Sequence, residues 1–475
     1  MRVDRVPLAY ETDTITAIAT PIGEGGLSVI RLSGPRAIEL AATGFRGKHP
    51  LTEAPTQTAH FGTLVDEQER AIDQVVVLIF RNPNSYTGED VVEISCHGGM
   101  YVTRQILEAT IRHGARPAQP GEFTKRAFLN GKIDLAQAEA IADLIHARSE
   151  TAHRSSLRQL QGDLTGHIAT LQDQLMDTIG LLELELDFAE DGYVFVGKER
   201  VARQVSDAIA YINELISTYQ VGKIYKEGIR TVLAGAPNVG KSSLLNALLL
   251  EERAIVTDLP GTTRDVIEES LTIGGVLFTI TDTAGLRQTD DPIEKEGVRR
   301  ADQEIEFSDL VLLVLDLSNS LSSVNNPDTI DLINKVRTNK SRCIIVANKK
   351  DLVKESMVGS IIQDKIPETF PRVNVSAKTH DGLQELRSLM LSSILDGIQP
   401  LQESSVIVTN SRHYAALLEA KSSLEKSMET LKADQSGEFI TVDLRAALDF
   451  LGEIGGVKTT DDILNRVFSS FCIGK

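Results

Sequence analysis

Residues 235–242 read GAPNVGKS, a glycine-framed stretch of the form G-x-x-x-x-G-K-[ST]. The β-branched run RTVLAG leads into it and the helical SSLLNALLL leads out. A strand, a glycine-rich turn and a helix N-terminus in that order fix a phosphate-binding loop at the end of a sheet strand. Gly235 and Gly240 let the backbone curl so that its N–H groups face phosphate oxygens. Lys241 supplies a point charge at the β- and γ-phosphates, and the Ser242 hydroxyl is suited to ligate Mg²⁺.

Further apolar runs, LFTITDT, LVLLVLD and CIIVANK, recur at helix-length intervals. That is the pattern of a mostly parallel sheet with helices on both faces, expected here over 223–395. DTAG (Asp282, Thr283, Ala284, Gly285) ends one strand, which sets Asp282 near the metal and the Gly285 N–H near the γ-phosphate. NKKD (Asn348, Lys349, Lys350, Asp351) follows another. A carboxylate such as Asp351 accepts from both N1–H and the exocyclic amine of guanine, and adenine would leave that charge unpaired. SAK (Ser376, Ala377, Lys378), by its similarity to GTPases, completes a guanine pocket. In PGTTRD, Thr263 is the expected switch residue sensing Mg²⁺ and γ-phosphate, with Thr262 beside it.

The 475 residues suggest about two to four domains. Proline is absent between Pro120 and Pro237 and again after Pro400, and because proline breaks helices these are the helical stretches. In LAQAEAIADLIHA, Leu135, Ala138, Ile141, Ala142 and Ile145 fall on one helical stripe. Two helical halves, 131–222 and 396–475, are therefore expected to flank the inserted α/β domain. Residues 1–130 read as a small α+β domain, with strands GLSVIRLSG, IDQVVVLIF and VVEIS and a helix around YVTRQILEATIRHG.

A net charge of −18 argues against a general nucleic-acid coat, whose affinity comes from clustered Lys and Arg. An RNA partner would need a local patch. In HARSETAHRSSLRQL, Arg148, Arg154 and Arg158 with His146 and His153 could share a helix surface, although a solvated face is the plainer reading. Cys96, Cys343 and Cys472 are too few and scattered for a disulfide framework or a four-ligand zinc site. Cys96 and Cys343 lie in strand-like runs and read as inert. No apolar run approaches the roughly 18 residues of a membrane span. Asp4, Glu11 and Asp13 are foreign to a secretory signal, so a cytoplasmic location is expected. The ending FCIGK lacks the prenylation pattern, broken by Gly474 and Lys475.

In Ras-like enzymes a glutamine directly after DTAG orients the attacking water, but here that position is Leu286. Arg287, Gln288, Asp290, Asp291, Glu294 and Glu296 are the nearby alternatives, and their chemistry alone does not choose among them. Charge developing at the β–γ bridge also needs a cation. A monovalent ion fits if oxygen ligands are at hand, and Asn238, Thr257 and the carbonyls near Leu259 offer them.

TPIGEGGLSVIRLSG, NSYTGEDVVEISCHGG, PGEFTKRAFLNGKIDLAQAEAIADLI, DTAGLRQTDDPIEKEG and FCIGK, with the nucleotide motifs, resemble the MnmE (TrmE) family of tRNA-modification GTPases along essentially the whole chain. The resemblance implies an α/β and α+β multidomain protein. Its Ras-like P-loop GTPase domain is inserted into an all-α helical domain, after an N-terminal α+β folate-binding domain that dimerises. It implies K⁺-stimulated hydrolysis of GTP, with Glu294 as catalytic glutamate beside Lys241. The implied K⁺ shell is Asn238, Thr257, Leu259 and Thr262, and the Mg²⁺ ligands are Ser242 and Thr263. Val239, Gly240, Ser243, Asp258, Pro260 and Gly261 join the GTP contacts. Family members act as homodimers with the flavoprotein MnmG, which carries the FAD, in a heterotetramer or larger assembly. Together they install an aminomethyl-type group at C5 of the tRNA wobble uridine, with a carbon from a tetrahydrofolate derivative, the 5-formyl or 5,10-methylene form. Arg31, Glu93, Lys132 and Lys475 match the folate contacts, and Arg and Lys pair well with carboxylates while Glu accepts from pterin N–H groups. The resemblance puts Cys472 at the mouth of the modification centre, as a catalytic thiol or a packing side chain. The alternative is a regulatory RNA-binding GTPase switch of the ribosome-assembly type, which does not predict the N-terminal glycine-rich segments or FCIGK.

Overall fold

Alternating side chains on strands of the first hundred residues build a sheet with one face buried and the other open only in part, since Ile15 and Ala17 are covered there by Ala118 and Phe123. The computed structural model describes residues 13–187, 197–250, 268–282, 304–319, 327–339, 342–353, 369–396, 406–433, 435–457, 459–469 and 471–475. They divide into two compact units, Met1–Ala142 with Gln159–Ala169 and Leu448–Lys475, and Asp143–Arg158 with Thr170–Ala447.

In the first unit β1 (Ile15–Ile18), β2 (Gly25–Ser33), β3 (Phe45–Gly47), β4 (Thr58–Val65), β5 (Ala71–Phe80), β6 (Val91–Gly98) and β7 (Arg116–Pro117) form a seven-stranded sheet, ordered β3-β4-β5-β6-β2-β1-β7. Every pairing is antiparallel except β1 with β7. Ile30, Leu32, Val75, Val77, Ile79, Val92 and Ile94 pack with Leu40 of the Ala37–Gly44 helix and Ile106 of the Met100–Arg112 helix. The other face carries exposed Leu27, Phe61 and Val76, the last two directly opposite each other. The expected strands are β2, β5 and β6. The C-terminal Asp461–Ser469 helix joins this unit, where Leu464, Phe468 and Phe471 cluster with Phe128, Leu135 and Ala138. Gly121 (φ +67) permits that approach, since a Cβ there would lie 2.6 Å from Phe468 O.

In the second unit β8 (Ile229–Ala234), β9 (Glu268–Ile273), β10 (Val276–Asp282), β11 (Leu310–Asp316), β12 (Arg342–Asn348) and β13 (Arg372–Asn374) form a six-stranded sheet, ordered β13-β12-β11-β8-β10-β9. All pairs are parallel except β9 with β10. Leu233, Leu312, Val314 and Ile344 enter one core, while Val232, Val311, Leu313 and Ile345 enter another. Both faces of the sheet are thus buried, which explains the unbroken apolar runs.

Long helices complete this unit. The Lys198–Glu227 helix packs on the Ser411–Lys432 helix, with Tyr219 and Tyr414 stacked at 4.2 Å between centroids and Val408 N donating to Thr218 Oγ1 at 3.0 Å. Gly222 has no room for a side chain, because a Cβ would collide with Val408 O. The basic segment is not one continuous helix. One helix ends at His146 and the next is Glu150–Leu160, where the Ser149 hydroxyl accepts from Ala152 N at 3.2 Å and starts a new turn. Arg148 therefore lies between helices.

Candidate functional site

The phosphate loop leaves the C-terminal end of β8, the strand at which the sheet order reverses. Ligands of open α/β sheets bind at such crevices. Gly235 (φ +144) and Gly240 (φ +95) have left-handed backbones, and a Cβ on either would strike Val314 O or Asn348 Nδ2 respectively. Lys241, buried at 6 % exposure, donates from Nζ to Gly235 O at 2.9 Å and Ala236 O at 3.0 Å. A phosphate oxygen brought to the loop is a charged acceptor and takes over such bonds. Ser242 and Ser243 are exposed at the start of the Lys241–Leu249 helix.

Residues from two further strand ends converge here. Asn348 ends β12 and is buried; its Nδ2 donates to Val239 O at 3.0 Å and its Oδ1 accepts from Ala377 N at 3.1 Å. One amide thereby joins the NKKD segment, the phosphate loop and the SAK turn. Lys349 Nζ donates to Asn238 O at 2.9 Å and to Asp316 Oδ2 at 2.7 Å. Asp351 is exposed, and its Oδ1 accepts from the buried Ser376 hydroxyl at 2.7 Å. That bond orients the carboxylate. Lys350 pairs with Asp381 at 2.7 Å, and Lys378 is exposed. Asp282 ends β10 opposite Leu233 of β8.

In the first unit, Arg31 and Glu93 are register partners on β2 and β6. Arg31 Nε donates to Glu93 Oε1 at 2.9 Å, with side chains 18 % and 22 % exposed. The guanidinium lies 5.4 Å from the Tyr86 ring centroid and 5.7 Å from that of Phe123. Arg31 Nη1 also donates to Gly474 O at 3.4 Å, so the C-terminal tail reaches this pair. Lys132 Nζ donates to Pro83 O at 3.0 Å. Phe471 is buried and Cys472 exposed. Cys96 and Cys343 are buried, and burial pushes the Cys343 thiol up to about 12 and raises that of Cys96, so both stay protonated.

Residues 135–472 match the family model described as the MnmE helical domain, and residues 14–132 match the model described as the GTP-binding protein TrmE N-terminus. The tRNA modification GTPase MnmE of Chlorobium phaeobacteroides is 45 % identical over 471 residues, covering 98 % of each chain. That of Chlorobium phaeovibrioides is 44 % identical over 474 residues, 99 % of each. The chain belongs to the MnmE family. The MnmE helical match runs on both sides of the nucleotide-binding sheet, as a domain interrupted by an insertion does.

Of the MnmE site residues expected from sequence, Asn238, Val239, Lys241, Asn348, Lys349, Asp351, Ser376 and Ala377 meet beyond the C-terminal ends of the sheet strands. Arg31, Glu93 and the tail meet in the other unit, where Lys132 Nζ bonds to Pro83 O. Thr257, Asp258, Leu259, Pro260, Gly261, Thr262, Thr263, Thr283, Ala284, Gly285 and Glu294 lie outside the described residues. Asp316, which holds Lys349, was not singled out in the sequence. Its signal is the acid that closes LVLLVLD one strand away from NKKD. Among the described residues no helix is long and apolar enough to cross a membrane.

Proposed function

We propose that this chain is a K⁺-stimulated GTPase that, with the flavoprotein MnmG, adds an aminomethyl-type group at C5 of the tRNA wobble uridine. The supporting observation is the junction of phosphate loop, NKKD and SAK through Asn348, in a chain whose relatives are named tRNA modification GTPases. Lys241 binds the β- and γ-phosphates, and Asp351, oriented by Ser376, reads guanine. Glu294 orders the attacking water through a bridging water, the role that Leu286 cannot take.

Ser242 and Thr263 would hold Mg²⁺, and the oxygen donors of Asn238, Thr257, Leu259 and Thr262 suit an alkali cation. These ions supply positive charge where negative charge grows between the phosphates. The Arg31–Glu93 pair, faced by two aromatic rings and joined by the tail, suits a tetrahydrofolate derivative, with a cation for its carboxylates and an anion for pterin N–H groups. Lys132 and Lys475 add charge, and Cys472 stands exposed at the same tail.

The working form is a cytoplasmic homodimer, for which the open sheet face with Leu27, Phe61 and Val76 offers an apolar surface. Four stretches carry these roles: 1–130 folate and dimerisation, 131–222 and 396–475 helical, 223–395 GTPase. Nucleoside analysis of tRNA from cells lacking the protein tests the reading. The C5 substituent should vanish from wobble uridines, and an unchanged nucleoside profile would overturn it.

A further inference from the structure

Asp316 closes β11 in register with Asn348 of β12. Its Oδ2 accepts from Lys349 Nζ at 2.7 Å, and its Oδ1 accepts from Ser318 N at 2.9 Å and Ser318 Oγ at 2.6 Å. Both carboxylate oxygens are thus engaged in a side chain only 15 % exposed. Burial alone would raise its pKa, but the hydrogen bonds from Lys349 and Ser318 outweigh burial and keep it below the usual carboxylate range. The same ammonium of Lys349 reaches Asn238 O at 2.9 Å.

Lys349 (φ +66) and Asn238 (φ +63) both adopt the left-handed backbone region. That region is disfavoured for a residue with a Cβ, lysine more than asparagine, and it persists where surrounding bonds over-determine it. Here one ammonium ties the two residues together and Asp316 fixes the ammonium. One of them begins the turn that presents Asp351, and the other lies at the crest of the phosphate loop.

We propose that Asp316 is a positioning residue for guanine nucleotide. Acting through Lys349, it holds the base-reading segment against the phosphate loop without touching the nucleotide. The proposal rests on the reading of 235–242 and 348–351 as a guanine-nucleotide site. A partly exposed ion pair adds little to global stability, so its effect belongs to affinity rather than folding.

The test uses the full-length protein, a fluorescent mant-GDP titration and GTP turnover. Asp316→Asn keeps the shape and removes the charge. The Kd for mant-GDP and the KM for GTP should each rise about tenfold, in keeping with loss of a charge-assisted hydrogen bond. The kcat at saturating GTP should stay within about twofold, because no group at the γ-phosphate is altered. Ser318→Ala should shift Kd the same way by about two- to threefold. In a Lys349→Met background, Asp316→Asn should add almost nothing, since the two act as one unit. An unchanged Kd in Asp316→Asn, or full additivity in the double variant, would overturn the proposal. Wild-type protein that is folded but binds no mant-GDP would overturn the site reading itself, and the proposal with it.

Discussion

At Gly474 the tail passes directly against the end of β1, and Gly474→Ala should release it. The residue sits at φ +97, and a Cβ would collide with Ile18 O and lie 3.0 Å from Ala19 Cα. The left-handed backbone alone costs an L-residue about 1–2 kcal/mol. Relieving the collision moves the tail off β1 and forfeits the 3.4 Å bond from Arg31 Nη1 to Gly474 O, worth about 0.5–1 kcal/mol. The total, about 1.5–3 kcal/mol, changes the ratio of seated to unseated tail by about 10- to 150-fold. Carboxypeptidase release of Lys475 reads that ratio directly when reseating is faster than cleavage. The variant should lose Lys475 some tens of times faster and should fail in tRNA modification, while GTP turnover is unchanged because Gly474 lies outside the nucleotide-binding unit. Release at the wild-type rate would refute the reasoning.

Arg126, 6 % exposed, donates to Asp13, Glu89 and Glu122, and Arg126→Met should cost about 3 kcal/mol in a denaturant titration by taking away the cation paired with Glu89 and leaving Asp13 and Glu122 to Arg116 alone. Burial pushes Asp13 and Glu122 up, but bonds from Arg116 and Arg126 outweigh it and hold both carboxyls low. The stability they carry is complete above their ordinary values and lost as pH falls through the lowered ones, so melting should drop more steeply below pH 4.5 in wild type than in the variant. Cys472→Ser should spare GTP hydrolysis and abolish tRNA modification; modification that survives would assign the thiol to packing. Glu294→Ala should slow turnover at saturating GTP while leaving GTP affinity nearly intact, and equal turnover would return attention to Asp290, Asp291 and Glu296. Wild-type turnover should be faster in KCl than in NaCl, and equal rates would remove the cation from the mechanism.

The nucleotide-binding sheet was legible because parallel strands buried on both faces write themselves as unbroken apolar runs, as LVLLVLD and CIIVANK do. In the first unit β2, β5 and β6 were legible for their length. β1 and β7 have four and two residues, and β4, TAHFGTLV, carries polar residues on a solvated face, so none announced itself. The phosphate loop and NKKD are local motifs, and their residues could be named from spacing. The Arg31–Glu93 pair could not, since its partners are 62 residues apart and only sheet register brings them together. Asp316 escaped for the same reason. The seat of the tail spans 443 residues of sequence, and no local pattern encodes it.

The stacked tyrosines and the tight passage of Gly222 beside Val408 mean that the chain departs from the helical layer and returns to it side by side. Everything between leaves and returns at this crossing, and Thr151 Oγ1 of the Glu150–Leu160 helix also donates to Gly275 O. A short splice joining Gly222 to Val408 would delete that stretch and leave Tyr219 and Tyr414 on the two helices that remain.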